Sequence, residues 1–383
     1  MNRVYLDYNA TAPLRPEARA AIAAAFDAPG NPSSIHAEGR AARAILEAAR
    51  REVGELAGAA PRGIVFTSGG TEAANLALNP EIGGRAPLPR LILSAGEHVC
   101  MLAGHRFAPS AVSVAPLRFD GRIDLAALEE SLADGGGPAL LALQGANNET
   151  GVVQPVAEAA ALVHAAGGLV VCDAVQLAGR TPLDAQSLGA DFLILSAHKF
   201  GGPKGVGALI AAREGLSAGL PLLRGGGQER GARAGTENVA GIAGFGAAAK
   251  AVRRDVAAEA ARLSALRDRL EAAILEAAPE AVIFGAGALR LANTTAFAVP
   301  GIAAATMLMR LDLAGVAASS GSACSSGKVT RSHVLAAMGV APEIAAGAIR
   351  LSLGWASSKA DVERFGEAFA STVTALRARR GGA

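Results

Sequence analysis

Between about residues 61 and 230 the chain repeats one pattern. A short, continuous apolar run leads into a polar turn, and an alanine-rich stretch follows. The runs are "GIVFTS" (63–68), "RLILSA" (90–95), "ALLALQ" (139–144), "GLVVCDA" (168–174) and "DFLILSAH" (191–198). A strand with one wet face alternates apolar and polar residues, whereas a strand covered on both faces does not. Helical stretches such as 71–79 and 155–166 lie between the runs. Strands of this kind alternating with helices predict an α/β fold: a mainly parallel sheet with helices on both sides.

Beyond residue 230 the pattern changes. A long helical run from about Glu237 to Ala278 stops at Pro279, a residue that cannot continue a helix. Strands "AVIFG" (281–285), "NTTAFAV" (293–299) and "AIRLSLG" (348–354) then mix with helical stretches at 302–313, 331–339 and 359–379. This reads as a smaller α+β domain joined by the N-terminal segment. At 383 residues, the chain is long for one core. The expected division is a large domain over 12–255 and a small one built from 1–11 and 256–383.

The charges nearly cancel, 36 basic against 34 acidic residues, which argues against a nucleic-acid or membrane partner. The first residues, "MNRVYLDYNATAP", lack a signal-peptide pattern, and no apolar run reaches the length of a membrane span. The three cysteines, at 100, 172 and 324, form neither a disulfide framework nor a CxxC pair. A reducing, cytoplasmic setting is expected. "GSACSSGKV" misses the P-loop spacing by one residue and lacks its final Ser or Thr, and "GFGAAA" (244–249) has no strand before it. No zinc spacing occurs among the histidines and cysteines, so no metal is expected.

The residues that could carry chemistry fall at strand ends. Such ends open into the crevice where α/β sheets bind ligands. In "SAHKFGGPKG" (196–205), Lys199 ends a strand and precedes a glycine turn. A lysine partly desolvated there is a usable amine nucleophile. In "VVCDAVQ" (170–176), Asp173 ends another buried strand and calls for a cationic partner; Gln176 faces the same crevice. "FTSGGTEAANLAL" (66–78) is strand, glycine turn and helix. Its Gly69, Gly70 and Thr71 offer N–H groups and a hydroxyl to a phosphate. His98 in "GEHVC" lies just past a strand end, where its ring can stack on a flat cofactor, and "QGANNETG" puts Asn147 and Asn148 at another. "SSGSACSSGK" (319–328) surrounds Cys324 with serine and glycine. A structural cysteine sits in apolar surroundings, so this one is either incidental or the loop exists to move a sulfur atom. A phosphate cradle, an amine and a buried carboxylate together describe pyridoxal phosphate chemistry.

The chain resembles the cysteine desulfurases of the NifS/IscS type, within the class V aminotransferase family of fold-type I pyridoxal phosphate enzymes. The resemblance runs from about Tyr5 to Gly354 through "YLDYNATAP", "GNPSSIH", "VFTSGGTEAANLA", "GEHVC", "NNETGVVQP", "DAVQ", "SAHKFGGPKG", "GGGQERGARAGTEN", "SSGSAC" and "IRLSLG". It implies a seven-stranded, mainly parallel sheet and a cofactor anchored covalently on Lys199. It implies that Asp173 pairs with the pyridine nitrogen, that Gln176 and Asn148 contact the ring-oxygen side, and that His98 stacks on the ring and moves protons. Gly70, Thr71, Ser196 and His198 would hold the phosphate, and Thr236 would reach the phosphate of a neighbouring subunit in a homodimer. Arg350 would clamp the substrate carboxylate. Cys324 would take the sulfur of L-cysteine as a persulfide, leaving L-alanine, and pass it to a sulfur acceptor or iron–sulfur scaffold protein. The tail "LRARRGGA" differs from the end of the housekeeping IscS branch, which leaves the acceptor open. The alternatives are a selenocysteine lyase or other class V enzyme, and a non-catalytic, cofactor-bound sulfur-trafficking scaffold.

Overall fold

A computed structural model describes residues 3–134, 136–320 and 331–381. Its 13 strands, in chain order, are β1 (Val4–Tyr5), β2 (Ile64–Thr67), β3 (Arg90–Ser94), β4 (Val112–Ala115), β5 (Ala139–Gln144), β6 (Leu169–Asp173), β7 (Phe192–Ser196), β8 (Gly207–Ala211), β9 (Val282–Ile283), β10 (Thr294–Ala298), β11 (Val316–Ala317), β12 (Ser319–Ser320) and β13 (Ile349–Ser352).

Seven of them form one sheet in the order β2-β8-β7-β6-β5-β3-β4. The pairs from β7 through β4 are parallel, and β8 runs antiparallel to both its neighbours. The apolar runs are buried on both faces, as their composition predicts. Phe66, Ile92, Leu141, Val170, Leu193 and Ile210 face one core, against the helices Ala37–Ala57 and Val156–Ala165 and the start of the helix Val239–Ala277. Val65, Leu91, Leu140, Val171, Phe192 and Leu209 face the other, against the helix Gly70–Ala77.

The helix Val239–Ala277 serves two cores. Ile242, Phe245 and Val252 pack beneath the large sheet, and Leu263, Leu266, Leu270 and Ile274 pack in a second core. Asp255, with φ −130° and ψ 19°, breaks the helical geometry between them. The second core joins Val4 and Leu6 to Phe297, Ile349 and Leu351 and to Phe365 and Phe369 of the helix Lys359–Gly381. Its antiparallel sheet has the order β12-β13-β10-β9, and β1 pairs with β11 in parallel. No helix among the described residues is long and apolar enough to cross a membrane.

Two strands of the large sheet escape a reading based on continuous apolar runs. At β4, on the sheet edge, Ser113 and Val114 are exposed. The apolar run of β8 is short, opening on Gly207 just after Gly205.

Candidate active site

The register brings the strand ends level. Gln144 sits beside Asp173, Asp173 beside Ile194, and Ser196 beside Gly207. The turns leaving β2, β3, β5, β6 and β7, with the turn entering β8, therefore meet along one edge. The N-terminal segment and β13 close the other side. The result is a cleft of about 530 Å³, within the usual range for small-molecule sites. Gly70, Thr71, His98, Asn148, Asp173, Gln176, Ser196, His198, Lys199 and Arg350 all line it. Thr236 does not. It is exposed and lines a separate hollow with Ser68 and Gly205. Cys324 lies outside the described residues.

Lys199 ends the single turn Ala197–Lys199 after β7. Gly201 follows with φ +94°, where a Cβ would meet the Arg15 side chain at 2.6 Å. The half-buried Lys199 amine donates to the carbonyls of Asn9 at 2.8 Å and Ala10 at 3.0 Å. Asp173 Oδ1 accepts from the Val175 N–H at 2.9 Å, and among the described residues no cation forms an ion pair with it. Burial pushes its carboxyl up to about 6, against the pull of that N–H and of Lys199. This is a buried carboxylate with room for a cation.

The helix Gly70–Ala77 begins at Gly69 without a side-chain cap. Its first N–H groups thus open to the cleft beside the Thr71 and Ser196 side chains, an arrangement that binds anions. Glu72 folds back to accept the Ser68 N–H at 2.7 Å and Arg233 Nε at 3.0 Å. The His198 ring meets Thr11 Oγ1 at 3.1 Å. Burial, with Lys199, Lys204 and Arg180 nearby, lowers its pKa to about 4.

His98 caps the short helix Val99–Leu102. Its Nδ1 accepts the Cys100 N–H at 3.2 Å and lies 3.0 Å from Cys100 Sγ. Burial, then Lys199 and His333, bring its pKa down to about 4. The ring is therefore neutral at pH 7 with its proton on Nε2. Cys100 also lines the cleft, and burial next to Asp173 and Glu97 pushes its thiol far up. It is a poor nucleophile there.

Arg350 lies on β13, buried, with one N–H on Asp7 Oδ1 at 2.8 Å, another on the Asn148 carbonyl at 3.0 Å, and Nε without a partner among the described residues. Asn147 supports the turn itself, its Oδ1 accepting the N–H groups of Glu149 and Thr150 at 2.9 Å each.

Three buried polar groups behind the cleft's lining are not singled out in the sequence reading. Glu97 is fully buried, accepts the Gln144 N–H at 2.7 Å and leaves Oε2 without a partner among the described residues. Burial and Asp173 drive its carboxyl well above the usual range. Glu149, raised to about 7 by burial, accepts the Ser332 hydroxyl at 2.5 Å. Arg180 lies behind Gln176 and Lys199. Glu97 and Glu149 stand inside "GEHVC" and "NNETGVVQP", but nothing local marks either carboxyl, or Arg180, as buried, because their burial arises only when distant strand ends meet. Among the described residues no group of three or more His, Cys, Asp or Glu is placed to hold a metal ion.

A parallel sheet whose strand-end crevice presents an anion site, a carboxylate and an amine defines the class. The chain belongs to the aminotransferase class-V family, whose model matches residues 4–365, a family of pyridoxal phosphate enzymes. Within it, the chain's place is among the cysteine desulfurases. It is 44% identical to a cysteine desulfurase of Cereibacter sphaeroides, covering 99% of this chain and 97% of that protein. It is 39% identical to an IscS-like cysteine desulfurase of Mycobacterium tuberculosis, covering 98% and 97%. Among solved structures, a NifS-like protein from Rickettsia africae superposes with a TM-score of 0.88 at 34% identity, covering 97% and 99%.

Proposed function

We propose that this enzyme takes sulfur from L-cysteine, using pyridoxal phosphate held in the strand-end cleft by Lys199 and Asp173. The observation that carries the reading is the donor set of that cleft: an uncapped helix N-terminus, a buried carboxylate with no ion pair among the described residues, and a lysine amine, all lining one space. These suit, in turn, the cofactor's phosphate, its protonated ring nitrogen and its aldehyde. When bound, the cofactor supplies an electron sink for the substrate's α-carbon.

The remaining work falls to the chain. Gly70, Thr71, Ser196 and His198 hold the phosphate, and Thr236 serves the cleft of a second subunit. Asp173, once paired with a cation, stays ionised and keeps the ring nitrogen protonated. Gln176 and Asn148 address the ring oxygen. His98 would stack on the ring and carries a proton on Nε2. Arg350 takes the substrate carboxylate. Cys324 receives the sulfur. In sum, a thiol and L-cysteine become a persulfide and L-alanine; a C–S and an S–H bond break, an S–S and a C–H bond form, the thiol's proton ends on the alanine methyl, and no outside oxidant enters. A protein acceptor then takes the sulfur, for iron–sulfur cluster assembly or another use. The solved structure titled "SspA in complex with cysteine", 28% identical with a TM-score of 0.76, supports the choice of substrate.

The test is mass spectrometry after brief exposure to L-cysteine, with alanine measured in parallel. The expected result is one added sulfur on the peptide containing Cys324 and stoichiometric alanine. Sulfur on Cys100 or Cys172 with Cys324 unmodified overturns the mechanism. Borohydride should fix the cofactor to Lys199, not to Lys204 or Lys328.

A further inference from the structure

Arg180 is 6% exposed and forms no ion pair with a carboxylate among the described residues. Burial lowers its pKa to about 9, and Arg350 adds to the effect. A guanidinium in that setting must spend its N–H groups on neutral oxygens. Arg180 donates to the Gln176 carbonyl at 2.9 Å, to Gln176 Oε1, to the Tyr8 carbonyl at 3.4 Å and to the Lys199 carbonyl at 3.3 Å.

A guanidinium only donates. The Gln176 amide must therefore turn its oxygen toward Arg180 and its NH₂ away. The NH₂ group then donates to the Asn9 carbonyl at 3.2 Å, the same carbonyl that holds the Lys199 amine. We propose that Arg180 is a positioning residue of the cleft: it fixes the sense of the Gln176 amide, so that N–H faces the ligand, and ties that amide to the backbone of Lys199. The ligand group opposite Gln176 must then be an acceptor, as the ring oxygen of pyridoxal phosphate is. The inference rests on the cofactor reading above.

The test uses the holoenzyme of Arg180→Met, Gln176→Leu, the double variant and Arg180→Lys. The readouts are the visible absorption band and the rate of cofactor release. Arg180→Met and Gln176→Leu are each expected to displace the band and speed release about tenfold, the scale of one lost hydrogen bond to a charged group. The double variant should be no faster than either single, because Arg180 acts through Gln176. Effects that multiply, or an unchanged band in Arg180→Met, overturn the proposal. Arg180→Lys is the second arm if Arg180→Met does not fold. A lysine also only donates, so the wild-type band and release within about threefold are expected; a band displaced as in Gln176→Leu overturns the proposal. A wild-type protein that binds no cofactor sinks the reading of the preceding section. A coloured wild type with multiplying variants sinks only this inference.

Discussion

At the scale of single residues, Asp173 carries the clearest physical signature. Its folded pKa of about 6 lies above the ordinary 3.8, so the folded chain binds that proton more tightly than the unfolded one. The contribution to stability is present below about pH 4 and lost as pH rises through about 6. Two pKa units correspond to ~3 kcal/mol. A cation against the carboxylate abolishes the penalty by holding the group ionised. Denaturant unfolding of wild type and Asp173→Asn without cofactor should show the wild type losing stability relative to the variant between pH 4 and 6. With cofactor bound that difference should vanish, and the variant's turnover should fall by orders of magnitude. His98 and His198, both lowered to about 4, act with the opposite sign: their contributions are lost as pH falls below about 6.5. A pH difference that persists in the loaded protein argues against a cationic partner for Asp173. Lys199, Asp173 and His98 are legible in the sequence because each stands where an apolar run stops. Glu97 and Arg180 are not. Glu97 acquires its burial and its Gln144 contact only when β3 and β5 pair, and Arg180 acquires its four oxygens from Gln176, Tyr8 and Lys199.

The elements show the same division. Buried strands declare themselves by continuous apolar runs. β4 and β8 are missed because exposed residues break one and the other is short and opens on a glycine. Gly207, which opens β8, has a steric reason. A Cβ on Gly207 would stand 2.5 Å from the Gly69 carbonyl carbon and 2.7 Å from its Cα. The strand thus passes directly against the turn that starts the anion-binding helix. Gly207→Ala should cost ~1–3 kcal/mol as overpacking. The turn, the softer partner, should yield and spoil the N–H array. Thermal unfolding and cofactor affinity measured together should both fall. A variant that loses stability but keeps full cofactor affinity would place the strain in β8 and free the cradle from this role.

The whole molecule adds what neither core holds alone. One wall of the cleft is the edge of the large sheet, and the other includes β13 of the smaller sheet and the N-terminal segment. Asn9 ties these together, donating to the Asn148 carbonyl at 3.1 Å and to Thr294 Oγ1 at 2.9 Å while its own carbonyl takes the Lys199 amine. Arg350 crosses the same junction from β13 to Asp7 and the Asn148 turn. Its side chain is 3% exposed, and Nε has no partner among the described residues, which leaves the guanidinium one donor unused there. A substrate with its amine end at Lys199 and its carboxylate at Arg350 spans the two walls. Arg350→Lys keeps the charge but loses the planar fork that grips a carboxylate at two points. The expected result is a KM for L-cysteine raised at least ~10-fold, the scale of one charge-assisted hydrogen bond, with the cofactor band unchanged. Steady-state kinetics beside a thermal melt decides the matter. If Arg350 serves only to join the smaller sheet to Asp7, the melt will fall and KM will hold. A raised KM in a protein that melts normally assigns the residue to the substrate.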